Sequence, residues 1–254
     1  PVRYLPCVVP CKLYFTSFQG SMEITTNVLD AMKDFMTVLA PAFFLAMTLT
    51  SYISSAGIYY EFTLFLISGV RWLTSVFLLP CIEIYILLVL VNHLSGEKRL
   101  GHLAELMSML VGWSLKALLA LVCGFHMVQG LISPAADAFR TMSVSRGIEA
   151  IPGVGDAGSS ATELVLGSAM LIKNGIGAAA LVVLILLCMV PLIKLAVIML
   201  VYYVLAAILQ PVSDERITEC LLGMGNGVKL LFQAAFTVLA LFLLTIALTT
   251  AVTG

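Results

Sequence analysis

Five ionisable side chains stand inside long apolar runs: Arg71, Glu83, Lys116, Lys194 and Lys229. Holding such groups in hydrocarbon is costly, so each is a functional suspect, as an ion pair, part of a polar pathway or a headgroup anchor. An internal repeat sorts them. Pro80-Cys81-Ile82-Glu83 opens one run, and after a short charged stretch comes Gly112-Trp113-Ser114-Leu115-Lys116. Pro191-Leu192-Ile193-Lys194 opens another, and after a second charged stretch comes Gly225-Asn226-Gly227-Val228-Lys229. Glu83 lies about 16 Å along a helix from the end of its run at Leu94, and Lys194 about 22 Å from the end of its run at Leu209. Both fall deep in a bilayer, at matching positions with opposite charge. The spacing suggests an intramembrane ion pair between Glu83 and Lys194 at the repeat interface. The alternative is that each reaches a headgroup separately or faces a different subunit.

If the halves are equivalent, Lys116 and Lys229 stand at the start of their spans and are interfacial cations that snorkel to the cytoplasmic headgroups. Gly167, Gly175 and Gly177, with Ser168 and Asn174, make a small-residue stripe suited to close helix packing or, alternatively, to a pore constriction. Nothing suggests catalysis. His93, His102 and His126 are dispersed, and no metalloprotease, nucleophile-elbow or Walker pattern occurs. The glycines of Ile151–Gly158 lack the following Lys-Ser/Thr of a phosphate cradle. Cys81, Cys123 and Cys188 read as small core residues, and Cys7 with Cys11 do not by themselves make a metal site. No catalytic residue, metal or cofactor is expected, and a net charge of −1 gives nucleic acid no electrostatic footing.

The elements that must position these residues follow from composition. Apolar residues make up 61% of the chain and charged ones 11%, too few charges to coat a soluble surface. The apolar runs are continuous rather than alternating, which excludes a β-barrel. The expected fold class is all-α: a polytopic transmembrane helical bundle, two pseudo-symmetric repeats, five to seven spans. Residues 1–34 form an interfacial lead-in, 35–131 a first membrane repeat, 132–162 a polar loop and 163–254 a second membrane repeat.

Within these, Phe35–Ala56 is the first span, and Gly57–Leu94 divides into a re-entrant or interfacial piece (Tyr59–Val70) and a span. Ser95–Glu105 and Val212–Gly227 are charged turns, with spans at Leu106–Leu131 and Val228–Ala251. Glu163–Leu209 mirrors the divided region, and seven spans result if both divided regions cross twice. Pro152 and the glycines of Ile151–Gly158 break any helix there. Lys98, Arg99 and Arg216 put both charged turns in the cytoplasm, so the repeat is parallel and the Ser133–Thr162 interval lies outside. The chain starts at Pro1, with no initiator methionine or signal-peptide pattern, and reads as a fragment or processed form.

At Ile151-Pro152-Gly153-Val154-Gly155 and at Glu163-Leu164-Val165-Leu166-Gly167-Ser168-Ala169-Met170-Leu171-Ile172-Lys173-Asn174-Gly175-Ile176-Gly177 the chain resembles the stage III sporulation protein AE family of endospore-forming bacteria. The likeness runs from the first span to the C-terminus, and members of the family are longer, with an extracytoplasmic N-terminal region. The resemblance implies a non-enzymatic subunit of the channel, or feeding tube, between mother cell and forespore. It implies a place in the mother-cell-derived membrane around the forespore, and a role in forespore development and late forespore gene expression. Implied partners are proteins of the same operon, including a secretion-type ATPase and ring-forming subunits, and a forespore membrane protein opposite them. Ile151, Pro152, Gly153 and Gly155 would then belong to a docking loop. The alternative is a small-molecule permease using the repeat interface with Glu83 and Lys194.

Overall fold

The computed structural model describes residues 5–50, 53–95, 101–148, 155–211 and 215–252, with side chains over 15–48, 57, 60–92, 101–128, 167–211 and 217–250. All of these residues are helical except Gln210 and Pro211. The helices are α1 (Leu5–Thr50), α2 (Ile53–Trp72), a π-helical turn (Leu73–Leu78), α3 (Leu79–Ser95), α4 (Gly101–Ile148), α5 (Gly155–Leu209) and α6 (Glu215–Val252). Helix is what so apolar a chain must form in lipid, where no water satisfies an exposed N–H or C=O. Hydroxyls inside the rods obey the same constraint: Thr25 donates to the Ser21 carbonyl and Thr245 to that of Leu241, both at 2.8 Å.

The region expected to divide into a re-entrant piece and a span instead runs unbroken from Ile53 to Ser95. The π-helical turn explains how. Pro80 has no N–H, and its ring would press on the carbonyl four residues back. Just before it the helix widens, and the Leu79 N–H bonds to the Thr74 carbonyl, five residues back. The Thr74 hydroxyl fills in by donating to the Val70 carbonyl at 2.7 Å. Pro191 is likewise taken inside α5, which is 55 residues long, or about 80 Å.

Several boundaries differ from expectation. The lead-in 1–34 is helical from Leu5 and runs on into the expected first span as α1 (Leu5–Thr50); residues 51 and 52 lie outside the described residues. The second charged turn shrinks, because α6 begins at Glu215: Glu219 is exposed while Cys220 and Leu221 are buried. Charges on one face of a helix read as a loop in one dimension. α5 begins at Gly155, so part of the expected helix-breaking stretch is helical, while 151–154 lie outside the described residues.

Four helical stretches are long and apolar enough to cross a membrane among the described residues: Tyr60–Asn92, Gly101–Val128, Gly167–Leu209 and Ile217–Thr250. α1 is not among them; its charges at Glu23, Asp30, Lys33 and Asp34 all precede Phe35, and Phe35–Thr50 carries none.

Two compact units interleave along the chain, one from 1–33, 69–118 and 186–239, the other from 34–68, 119–185 and 240–254. In the first, all five rods feed one core, with Phe18 from α1, Ile82 and Ile86 from α3, Val111 from α4, Leu195 from α5 and Leu221 and Leu231 from α6. In the second, Phe43 and Met47 pack with Phe44 and Ile176. Of the four span-length stretches the one in α6 is the most enclosed, with 56% of its most apolar part buried against 17% for those in α4 and α5. α5 buries Ala180, Leu184, Cys188 and Leu195 along one stripe and exposes Val183, Leu186, Val190, Ile193 and Val197 on the other.

Candidate functional site

Apolar burial does not drive helices together in lipid, so close approach has to come from small residues and polar links. In the first unit both meet at Gly223-Met224-Gly225-Asn226-Gly227 on α6. A methyl group on Gly223 would lie 2.5 Å from Val89 Cγ1, and one on Gly227 would collide with Ile86. Gly223 and Gly227 are four residues apart, so both face α3. Gly225 faces α5, where a methyl would lie 3.3 Å from Tyr202 Cβ. Two tyrosines tie the segment: Tyr85 donates to the Gly223 carbonyl at 3.3 Å, and Tyr203 to Asn226 Oδ1 at 2.7 Å.

Beside this contact lies a hollow of 530 Å³ on the α1 side, whose lining includes Gln19, Glu23, Thr26, Asn27 and Glu83. A second hollow, of 280 Å³, is lined by Asn27, Val28, Ala31, Leu187, Pro191 and Lys194. Asn27 borders both. Glu83 and Lys194 are each exposed, and no ion pair joins them within the described chain. They flank the same stretch of α1, one on its α3 side and one on its α5 side.

In the second unit two polar side chains on separate helices are buried. Lys173 is fully buried on the stripe that includes Ala169, Gly177 and Ala180. His126 is buried with Nε2 3.3 Å from Thr245 Oγ1, and its ring stands edge-on to Phe62. The Thr245 hydroxyl donates to Leu241, so toward His126 it accepts, and Nε2 carries the hydrogen. A 30 Å³ cavity beside Thr245 is lined by Tyr60, Thr63 and Thr249 among apolar neighbours.

Of the other residues singled out in the sequence, Lys116, Lys229 and Arg71 are exposed. Of the glycine stripe, Gly177 makes the close approach, 2.8 Å from Thr250 for an added methyl, while Gly167 and Gly175 border open space. Ile151, Pro152 and Gly153 lie outside the described residues, and Gly155 is the first residue of α5. The repeat partner of Gly225, Gly112, also borders open space, so the two halves pack differently. Sequence reasoning gave no role to Lys173, Glu23 or Gly223, and read His126 only as one of three dispersed histidines. The buried stripe of Ala169, Lys173, Gly177 and Ala180 at helical spacing was the available signal for the first.

Continuous helical rods, four of them long and apolar enough to span, held by glycine contacts and carrying polar groups at depth, define a polytopic helical membrane protein. The chain belongs to the stage III sporulation protein AE family, whose model matches residues 2–253. It is similar to stage III sporulation protein AE of Bacillus subtilis (strain 168), 25% identical over 236 residues. That alignment covers 92% of this chain and 59% of the relative, so the chain spans somewhat over half of that relative's length. No solved structure matches. The family's name denotes sporulation and not an enzyme activity.

Proposed function

We propose that this chain is a non-enzymatic membrane subunit of the channel between mother cell and forespore, set in the mother-cell-derived membrane around the forespore. The observation that carries this is family membership over residues 2–253, combined with four span-length apolar helices. Its partners in this reading are the secretion-type ATPase, ring-forming subunits and other proteins of the same operon, with a forespore membrane protein opposite. The stretch Ile151–Gly155, which leads into the first residue of α5, is its docking loop.

The experiment is in two parts. Deleting the coding segment in the sporulating host should abolish a late forespore-specific reporter while earlier forespore expression persists. Reconstituted alone in vesicles, the protein should move no small solute, because a channel subunit needs its partners. Transport by the isolated protein that is lost in Glu83→Gln would favour a permease and overturn the channel reading.

A further inference from the structure

The exposed face of α1 is polar where its flanks are apolar. Gln19, Glu23, Asn27 and Asp30 recur every three or four residues and are all exposed. Asp30 is matched by Lys33 on its own helix, at 2.7 Å. Exposed Ile84 and Leu87 on α3 and Val190 and Ile193 on α5 lie to either side. Lipid satisfies those flanks but not the stripe, nor Glu83 and Lys194, which stand within two of the span-length helices. The charges beside α1 are segregated. Glu23 and Glu83 share the hollow on the α3 side, Lys194 lines the hollow on the α5 side, and Asn27 borders both.

The two flanking charges also stand at similar heights. Phe18, Ile86 and Gly227 meet at one level, and Gly225 meets Tyr202 beside it. Glu83 is one helical turn from that level on α3, and Lys194 about two turns from it on α5, in the same direction. The offset between them is about 5 Å, within reach of a glutamate and a lysine side chain.

A face of this kind is complementary to itself. Copies inserted the same way in one membrane are related by an axis along the membrane normal, and a half-turn makes an isologous contact. With two α1 faces opposed, the α3 side of each copy meets the α5 side of the other. We propose that a second copy of this chain docks on the α1 face, with Glu83 and Glu23 of each copy paired to Lys194 of the other. Asn27 of each copy lies at the axis, where the two amides can hydrogen-bond across the interface. The inference rests on unit-one geometry and not on the channel reading.

The test uses the full-length protein, co-expressed as two differently tagged copies and captured through one tag. Wild-type copies are expected to co-purify. E83K paired with E83K, and K194E paired with K194E, place like charges opposite each other, and recovery should fall at least about tenfold. An E83K copy paired with a K194E copy restores attraction at both contacts, and recovery should return. An ion pair inside one chain would not be rescued by this mixing, so failure of the mixture overturns the proposal. So does undiminished association of either single variant.

Because a charge reversal can block insertion, a photo-reactive benzophenone amino acid replacing Asn27 gives a second readout in intact membranes. The expected product is a dimer of the chain carrying both tags. Crosslinking only to lipid or to a different protein overturns the proposal.

Discussion

Gly223 and Gly175 are both helical glycines, yet their surroundings ask opposite things of a methyl group. At Gly223 it would meet Val89, a stiff β-branched side chain, at 2.5 Å, so α3 or α6 has to move. Overpacking of this kind costs about 1–3 kcal/mol. At Gly175 nothing stands within 4 Å, and alanine removes the backbone freedom that makes glycine a poor helix former, a gain of about 0.5–1 kcal/mol. Gly223→Ala should therefore lower the thermal midpoint of the detergent-solubilised protein, while Gly175→Ala should leave it unchanged or raise it. Equal midpoints for the two variants would mean that α3 does not press on α6 at this point. Gly227→Ala should fall between them, because a methyl there meets the end of the Ile86 side chain, which can rotate away.

At the scale of the element, the π-helical turn at Leu73–Leu78 behaves as an α-helix with one residue inserted ahead of Pro80. Removing the exposed Ser75 should restore an α-helix without changing which faces α2 and α3 present. The uninterrupted helix then forces Pro80 onto a carbonyl, at a cost of about 3 kcal/mol. Deletion of Ser75 alone should thus deplete the membrane-inserted protein, and deletion combined with Pro80→Ala should recover it, read as yield of monodisperse protein. Deleting one residue within Ile82–Leu90 should not be rescued by any proline change, because it turns the buried Ile86 and Leu90 away from the core.

This element also shows how far the sequence could be read. The apolar runs made helix and membrane legible, and Pro80 marked the place where the rod is irregular. The sequence did not show that the chain absorbs that proline with one wide turn rather than dividing. That outcome depends on a Thr74 hydroxyl supplying a local bond. The site was legible in part. Glu83 and Lys194 stood out as charges in apolar runs, but which residues flank them depends on α1, whose polar stripe looked like an interfacial lead-in. Lys173 was harder to read: Ala169, Gly177 and Ala180 mark its helix face by their spacing, but only the folded bundle shows that this face is enclosed.

For the whole molecule, the continuity of the rods constrains how the chain threads a membrane. A helix without a turn cannot double back, so the Glu163–Leu209 region, taken up in α5 and carried through Pro191, has room for one crossing where the sequence left room for two. α6 likewise has room for one crossing. Ser145 lies in α4 ahead of α5, Ser213 lies between α5 and α6, and Thr253 follows α6. One crossing separates Ser145 from Ser213, and one more separates Ser213 from Thr253. Ser145 and Thr253 must then share a side, whatever the absolute orientation. Single cysteines at these sites, in a functional background without native thiols, should divide accordingly under a membrane-impermeant reagent. The excess of lysine and arginine at Lys98 and Arg99 predicts a cytoplasmic side for that stretch and for Ser213, in which case Ser145 and Thr253 should label from outside and Ser213 should not. Labelling of Ser213 alone would invert the bundle and bring the α4–α5 connection to the cytoplasmic side. Labelling that separates Ser145 from Thr253 would mean that α5 or α6 does not cross as a single rod.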